Sequence, residues 1–97
     1  MSWKPTPKND LLAIRRYDRD TGEWRRVQYR HLKAGDIYAA FGRDGNQVNP
    51  ASGEPIEPNS MTARVLEDAH RNPESGQGYR ALVALGSLEE HLKILSQ

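Results

Sequence analysis

Turn-forming residues divide this chain into short segments, and they limit its possible folds more than any other feature. The stretches DRDTGE (18–23) and RDGN (43–46) combine aspartate with glycine, a composition typical of β-hairpin turns. The stretch NPASGEPIEPNS (49–60) is rich in proline, glycine and serine, which predicts a loop rather than a strand. With eight glycines and six prolines in all, the chain favours short strands over a helical bundle.

The length of 97 residues indicates one small domain. A chain of this size buries only about 60–65% of the surface that its unfolded form exposes, so its core must be small. Residues 1–9 contain Pro5 and Pro7, which restrict the backbone and remove hydrogen-bond donors, and they predict an extended or disordered arm. Residues 10–97 are predicted to form the domain. Trp3, in the arm, is a candidate for docking onto a partner.

Two alternating segments, 11–17 and 24–31, predict a first β-hairpin. If Tyr17 opposes Trp24, the apolar side chains of both strands share one face, which a core-facing hairpin requires. A glycine bulge at Gly22 would favour a register shifted by one residue, but that shift loses several core side chains, so the hydrophobic pattern should prevail. In the predicted register, Leu12, Ile14, Val27 and Tyr29 form the core face. The outer face carries Arg15, Tyr17, Trp24, Arg26, Gln28 and Arg30.

The rest of the chain predicts further extended segments. Gly35 and Asp36 form a corner that we interpret as a turn rather than as a site with a catalytic carboxylate. Residues 37–41 follow as a third strand. Residues 61–70 fit helical spacing as well as a strand, and we favour the strand because a hairpin loop follows. Residues 79–85 are apolar and bounded by glycines, which predicts the central strand.

A short helix is predicted at the C-terminal end. Ser87 and Glu90 have the spacing of a capping box, in which each side chain binds the backbone amide of the other residue. Leu88, Leu92 and Leu95 then form an apolar stripe. Two helical turns do not persist alone in water, so the stripe must dock. We expect it to cover an open end of a small antiparallel β-barrel of about five strands; an exposed stripe used for dimer contacts is the alternative.

The order of these pieces resembles small phage and prophage proteins that share the pattern GD-(I/V)-(F/Y)-x-x-F-x-x-D-G. The matching residues are Gly35, Asp36, Ile37, Tyr38, Phe41, Asp44 and Gly45, followed later by Gly78 and Tyr79. The resemblance covers residues 29–85 and leaves out the tryptophan-bearing arm and the C-terminal helix. It implies an SH3-like barrel of unassigned role with no catalytic residues.

The residues that carry chemistry do not form an enzyme motif. The chain has no cysteine, and its three histidines, His31, His70 and His91, are far apart in sequence and are interpreted as surface residues. No nucleophile elbow and no glycine-rich phosphate loop is present. The carboxylates of DRDTGE are explained by turn chemistry, and pairing of Glu67 or Asp68 with His70 is interpreted as structural. We therefore predict no enzymatic activity, no catalytic residue, no metal site and no cofactor.

Charge and aromatic residues favour a binding protein. Residues 1–43 hold ten Lys and Arg against five Asp and Glu, a net charge of +5, whereas residues 44–97 hold four against eight, a net charge of −4. Tryptophan, tyrosine and arginine are the residues that most often anchor protein interfaces. We therefore predict a phage-type protein-interaction module, a virion accessory or a host-factor-binding protein, with Trp3, Arg15, Tyr17, Trp24, Arg26 and Arg30 as binding residues.

The alternative is a single-stranded nucleic-acid-binding barrel, in which arginines meet phosphates and aromatic rings stack on bases at the outer face of the first hairpin. The partner is expected to be a protein or a second copy, with nucleic acid possible and no small-molecule substrate. No apolar run approaches the about 20 residues of a membrane span, and residues 1–10 lack the apolar core of a secretory signal. We expect the protein in the host cytoplasm or in the virion.

Overall fold

A computed structural model describes residues 13–71 and 79–97 of the chain. The described strands are β1 (Ala13–Asp18), β2 (Glu23–Arg26), β3 (Ile37–Phe41), β4 (Gln47–Val48), β5 (Thr62–Val65), β6 (His70–Arg71), β7 (Tyr79–Arg80) and β8 (Val83–Gly86). A 3-10 helical turn spans Tyr29–His31, and one α-helix, α1, spans Leu88–Leu95. The predictions for the arm, for Trp3, Leu11 and Leu12, and for Gly78 lie outside the described residues.

The strands form an open antiparallel sheet in the order β2-β1-β3-β5-β8, with β4 also paired to β3. Strands β6 and β7 form a separate two-stranded sheet. The fold is therefore mainly β with one short C-terminal helix, as predicted, but the sheet does not close into a barrel. One reason is that the strand predicted over 24–31 ends at Arg26, and the chain turns into the 3-10 helix instead of continuing along the sheet.

The first hairpin has the predicted register. Tyr17 pairs with Trp24 and Arg15 with Arg26. Gly22 has a φ of 76° and its amide donates to the carbonyl of Asp18 at 2.7 Å, so the four residues 19–22 turn the chain without shifting the strands. The glycine and the hydrophobic pattern therefore do not conflict. Val27 lies beyond the ladder, yet it packs with Ile14 against the core.

Strand β3 lies at the centre of the sheet, and all five of its side chains are buried. On one face, Tyr38 joins a core cluster with Leu32, Ala63 and Val65, which Ile14, Val27, Tyr29, Ala69, Ala81 and Val83 surround. On the other face lie Ile37, Ala39 and Phe41. The predicted central strand at residues 79–85 is wrong. The chain there forms β7, a break and the edge strand β8, and Leu82 and Leu85 remain 61% and 47% exposed.

The Gly35–Asp36 corner is a turn, as predicted. Gly35 has a φ of 96°, a backbone conformation that glycine adopts without a steric penalty. The Gly35 amide donates to the carbonyl of Val65 at 2.8 Å, and Val65 donates back to the Asp36 carbonyl at 2.8 Å. The Asp36 carboxylate accepts from the Lys33 amide at 2.9 Å. The aspartate therefore holds the corner, and the corner fixes the end of β5 against β3.

The loop of residues 49–60 is tied to the sheet and to the helix through Asn59. The Asn59 side-chain oxygen accepts from Gln47 Nε2, and the Asn59 amide donates to Gln47 Oε1, both at 2.8 Å. The Asn59 carbonyl accepts from the Leu88 amide at 3.0 Å. Asn59 has a φ of 67°, which asparagine tolerates better than most residues. One loop residue therefore connects β4 to the start of α1.

Helix α1 begins with the predicted capping box. The Glu90 amide donates to Ser87 Oγ at 3.2 Å, and the Ser87 amide donates to Glu90 Oε1 at 3.0 Å. The prediction that His91 is a surface residue is wrong, because His91 is only 2% exposed and its Nε2 lies 3.3 Å from the Thr62 carbonyl. A Cβ built on Gly86 would lie 3.4 Å from the His91 ring. The helix therefore docks on the sheet where β5 and β8 meet.

Replacing Leu32, which is 1% exposed, with alanine should lower the free energy of unfolding by about 2–5 kcal/mol, because the change leaves a cavity in the core cluster. Urea denaturation followed by circular dichroism measures the loss. Leu66→Ala is the matched control, since Leu66 is 41% exposed and its truncation should cost no more than about 0.5 kcal/mol. Equal losses in the two variants would contradict the assignment of the core.

Candidate functional site

The first hairpin gathers four of the predicted binding residues on one face of the sheet. Arg15 and Tyr17 lie in β1, Trp24 and Arg26 lie in β2, and the register places them as two directly opposed pairs. Side chains at alternate strand positions share a face, so these four lie opposite to Ile14 and the core cluster. We call this set, together with Phe41 of β3, the arginine–aromatic face.

Three aromatic rings pack edge to face on this surface. The Trp24 ring centroid lies 5.1 Å from that of Tyr17, with 64° between the planes, and 6.2 Å from that of Phe41, with 71° between the planes. Phe41 is buried, whereas Tyr17 and Trp24 are half-buried. Trp24 is therefore neither sealed in the interior nor fully exposed. Its half-buried position on a packed base resembles that of residues that anchor interfaces.

The two arginines of this face are unneutralised. Arg15 and Arg26 oppose each other directly, and like charges at opposed positions destabilise a strand pair. Neither forms an ion pair within the part of the chain that the structure describes. The Arg15 guanidinium lies 4.7 Å above the centre of the Phe41 ring, and its Nε is buried without a hydrogen-bond partner. Arg26 is exposed. An anionic group of a partner would relieve this repulsion.

The second arginine pair of the hairpin has a different environment. Arg16 and Arg25 also oppose each other, on the core side of the strands. Arg25, however, lies 2.9 Å from Asp18 and 3.4 Å from Glu23. The hydrogen bond from Arg25, with those from the amides of Asp20 and Thr21, holds the pKa of Asp18 below its usual value. The hairpin therefore supplies carboxylates to Arg25 and none to Arg15 or Arg26 within the described residues.

A cavity of about 590 Å³ opens at the edge of the first hairpin, where Arg26 is the one member of the arginine–aromatic face in its described lining. Its described lining includes Arg26 and His31 as charged or titratable groups and Ile14 and Val27 as apolar ones. A partner side chain that enters it would meet both an apolar wall and a guanidinium group.

The structure adds one residue that the sequence analysis missed and separates Arg30 from the residues with which it was grouped. Arg64 of β5 pairs with Ile37, on the same side of the sheet as Arg15, and its Nε is also buried without a partner. The alternation of residues 62–65 indicates that Arg64 faces away from Ala63 and Val65, but it does not indicate which strands lie beside it. Arg30 lies in the 3-10 helix and is exposed, so strand register does not bring it to the arginine–aromatic face. Trp3 lies outside the described residues.

The remaining polar clusters have structural explanations. His70 Nε2 lies 2.9 Å from Glu67, as the sequence suggested, and His70 Nδ1 lies 3.3 Å from the Arg71 carbonyl. Asp68 accepts a hydrogen bond from the Ala34 amide at 2.9 Å. Within residues 13–71 and 79–97, no three histidine or carboxylate side chains gather in a metal-binding arrangement. No helix of the same residues has the length and apolar character of a membrane span.

Comparisons of this chain with models of protein families, with curated proteins and with solved structures find no match.

The His70–Glu67 contact predicts a pH-dependent local stability. Both ring nitrogens of His70 face oxygen atoms, an arrangement that only the imidazolium satisfies. The Glu67 carboxylate first, and the Arg71 carbonyl second, raise the pKa of His70, and the neighbouring Arg80 opposes them. The stabilisation is therefore full below the unfolded pKa of about 6.5 and is lost as the pH rises through the higher folded value.

NMR titration of the His70 ring tests this assignment. Glu67→Gln should lower the pKa of His70, because the amide cannot stabilise the imidazolium as a carboxylate does. Glu54→Gln, at an exposed glutamate of the 49–60 loop, is the control and should leave the pKa unchanged. The same His70 pKa in the wild type and in Glu67→Gln would contradict the contact.

Proposed function

We propose that this protein is a non-enzymatic interaction module that binds a protein partner through the arginine–aromatic face. The observation that carries the proposal is the directly opposed pair Arg15 and Arg26, which forms no ion pair among the described residues and borders the half-buried rings of Tyr17 and Trp24. A partner that supplies a carboxylate and an apolar side chain complements this surface. The carboxylate would lie between the guanidinium groups, and the apolar side chain would pack on the neighbouring Tyr17 and Trp24 rings.

The ring geometry favours a protein over a nucleic acid. A stacking platform for bases needs flat ring faces open to solvent. Trp24 packs edge to face with two neighbouring rings at 64° and 71°, and it is half-buried. The formal net charge of +1 is also small for a protein that must neutralise several phosphates. These two features support a protein partner over a nucleic acid.

The resemblance to phage proteins extends the proposal to a biological role. It supports a virion accessory or a host-factor-binding protein, located in the virion or in the host cytoplasm. The SH3-like character belongs to the same resemblance and stays a prediction, as do the roles of Trp3 and Arg30 in binding.

Fluorescence anisotropy with a labelled peptide tests the proposal. The probe alternates glutamate with apolar residues, and a second peptide replaces each glutamate with glutamine. The wild type should bind the glutamate peptide more tightly. Arg26→Gln should weaken that binding by about fivefold, since an exposed ion pair contributes up to about 1 kcal/mol. Trp24→Ala should weaken it further, provided that circular dichroism shows a folded protein.

Arg43→Gln is the matched control, because Arg43 is exposed in the β3–β4 turn and the formal charge changes by the same amount. This variant should bind the glutamate peptide as the wild type does. Equal weakening in both variants would show that only net charge matters, and equal affinity of the wild type for the two peptides would exclude recognition of carboxylates.

The nucleic-acid alternative is supported by the same opposed arginines, since guanidinium groups also bind phosphate. A labelled single-stranded oligonucleotide, titrated at about 50 mM and about 200 mM salt, separates the two partners. The protein proposal expects no binding at the lower salt concentration. Tight, salt-dependent binding that Arg26→Gln weakens and Arg43→Gln does not would favour the nucleic acid.

A further inference from the structure

The two edge strands of the sheet differ in charge. Three of the four residues of β2 are charged, namely Glu23, Arg25 and Arg26. Charged side chains on an edge strand hinder its pairing with another chain. Strand β8 has the sequence VALG, with no charge and no proline, and β5 is its only partner among the described residues. The outer edge of β8 therefore lacks the protection that β2 has.

Exposed apolar side chains lie in and around β8. Leu85 within the strand is 47% exposed, and Leu82 directly before it is 61% exposed. The Leu66 amide donates to the Leu82 carbonyl at 2.8 Å, and Leu66 is 41% exposed. These are three of the five large apolar side chains that are exposed in the described part of the chain.

The sequence of β8 is complementary to itself in one antiparallel register. A twofold axis through Ala84 would oppose Val83 to Leu85 of a second copy, and Leu82 to Gly86. Every pair is then apolar, and the largest side chain meets the smallest residue. Directly opposed residues share a face of the sheet, so the exposed Leu85 would pack beside the second copy's Val83, on the side of the core cluster.

The charges at the two ends of β8 also match in this arrangement. Arg80 precedes the strand and Glu89 follows it, in the first turn of α1. Both side chains are exposed, and neither forms an ion pair in the part of the chain that the structure describes. Antiparallel pairing brings the Arg80 end of each copy to the Glu89 end of the other. The twofold axis would therefore create two attractive contacts.

We propose that two copies of this protein pair through the outer edges of their β8 strands, in antiparallel register about Ala84, and form one continuous sheet. The contact is isologous, so it closes at a dimer, and the charged β2 edges at the two ends of the joined sheet hinder further growth. About five residues a side are far fewer than the 20–30 of a standard interface, so the dimer is weak and depends on concentration. It does not rest on the proposed function, because the arginine–aromatic face lies on the hairpin at the opposite edge of the sheet.

Sedimentation equilibrium of the full chain tests the dimer. Between about 1 μM and about 1 mM, the weight-average mass should rise from 11.0 kDa toward twice that value. Leu85→Lys should keep the protein monomeric across this range, because it places a charge on the edge of each copy. Ile94→Lys is the control: it also introduces a lysine at an apolar residue of similar exposure, but on helix α1 instead of the β8 edge, and it should dimerise as the wild type does.

Charge reversal tests the register. Arg80→Glu and Glu89→Arg should each weaken the dimer, and the double variant should recover the wild-type dissociation constant to within about threefold, since the two sites then attract again. Circular dichroism of each variant confirms that the fold is intact. A wild-type mass that stays at 11.0 kDa overturns the proposal. A dimer that persists in Leu85→Lys would also overturn it, as would equal disruption of the dimer by Ile94→Lys. A double charge-reversal variant that dimerises no better than the single variants would contradict the register.

Discussion

The burial of both faces of β3 is the constraint on which the rest of the structure depends. Its five side chains alternate between the faces, and all are buried, so each face needs its own cover. Tyr38 and Ala40 point toward the side of the core cluster, while Ile37, Ala39 and Phe41 point the other way. The small side chains of Ala39 and Ala40 point to opposite faces, so neighbouring side chains can approach the strand closely on both sides. A small chain thus obtains two layers of packing from one strand.

The cover on the Phe41 side explains why arginines lie on a partly buried surface. Arg15 extends over the Phe41 ring, with its guanidinium carbon 4.7 Å from the ring centre, so this half-buried side chain covers the ring. This packing orients the guanidinium group and leaves its Nε without a hydrogen-bond partner. The same packing that covers Phe41 therefore fixes the position of the Arg15 guanidinium, on which the proposed binding surface depends.

Local signals predicted the local structure well. The Asp-Gly turns, the Gly35 corner, the capping box at Ser87 and the Tyr17–Trp24 register each depend on residues close in sequence or on one alternating pattern. The position of a strand within the sheet depends instead on distant partners. Residues 79–85 are apolar enough for a central strand, but β3 occupies that position, because both of its faces are covered and it pairs with β1, β4 and β5.

The candidate site, like the fold, could be predicted where it depends on a local pattern and not where it depends on residues distant in sequence. Alternation in the hairpin placed Arg15, Tyr17, Trp24 and Arg26 on one face, because strand register extends a local pattern to the neighbouring strand. Arg64 could not be assigned to that side of the sheet, since its position depends on the pairing of β5 with β3 across a long loop. His91 could not be recognised as buried for a similar reason. Its environment is formed by Thr62 and Gly86, which no local pattern links to the helix.

The hydrogen bonds of Asn59 have a consequence for how this protein opens. One residue joins β4, through Gln47, to the first amide of α1, so the loop between them cannot loosen while the helix stays docked. Amide protons of the helix start and of the loop end should then exchange with solvent as one cooperative unit rather than as a fraying terminus and a separate loop. The loop of residues 49–60, although rich in proline and glycine, therefore stabilises the docked position of the helix.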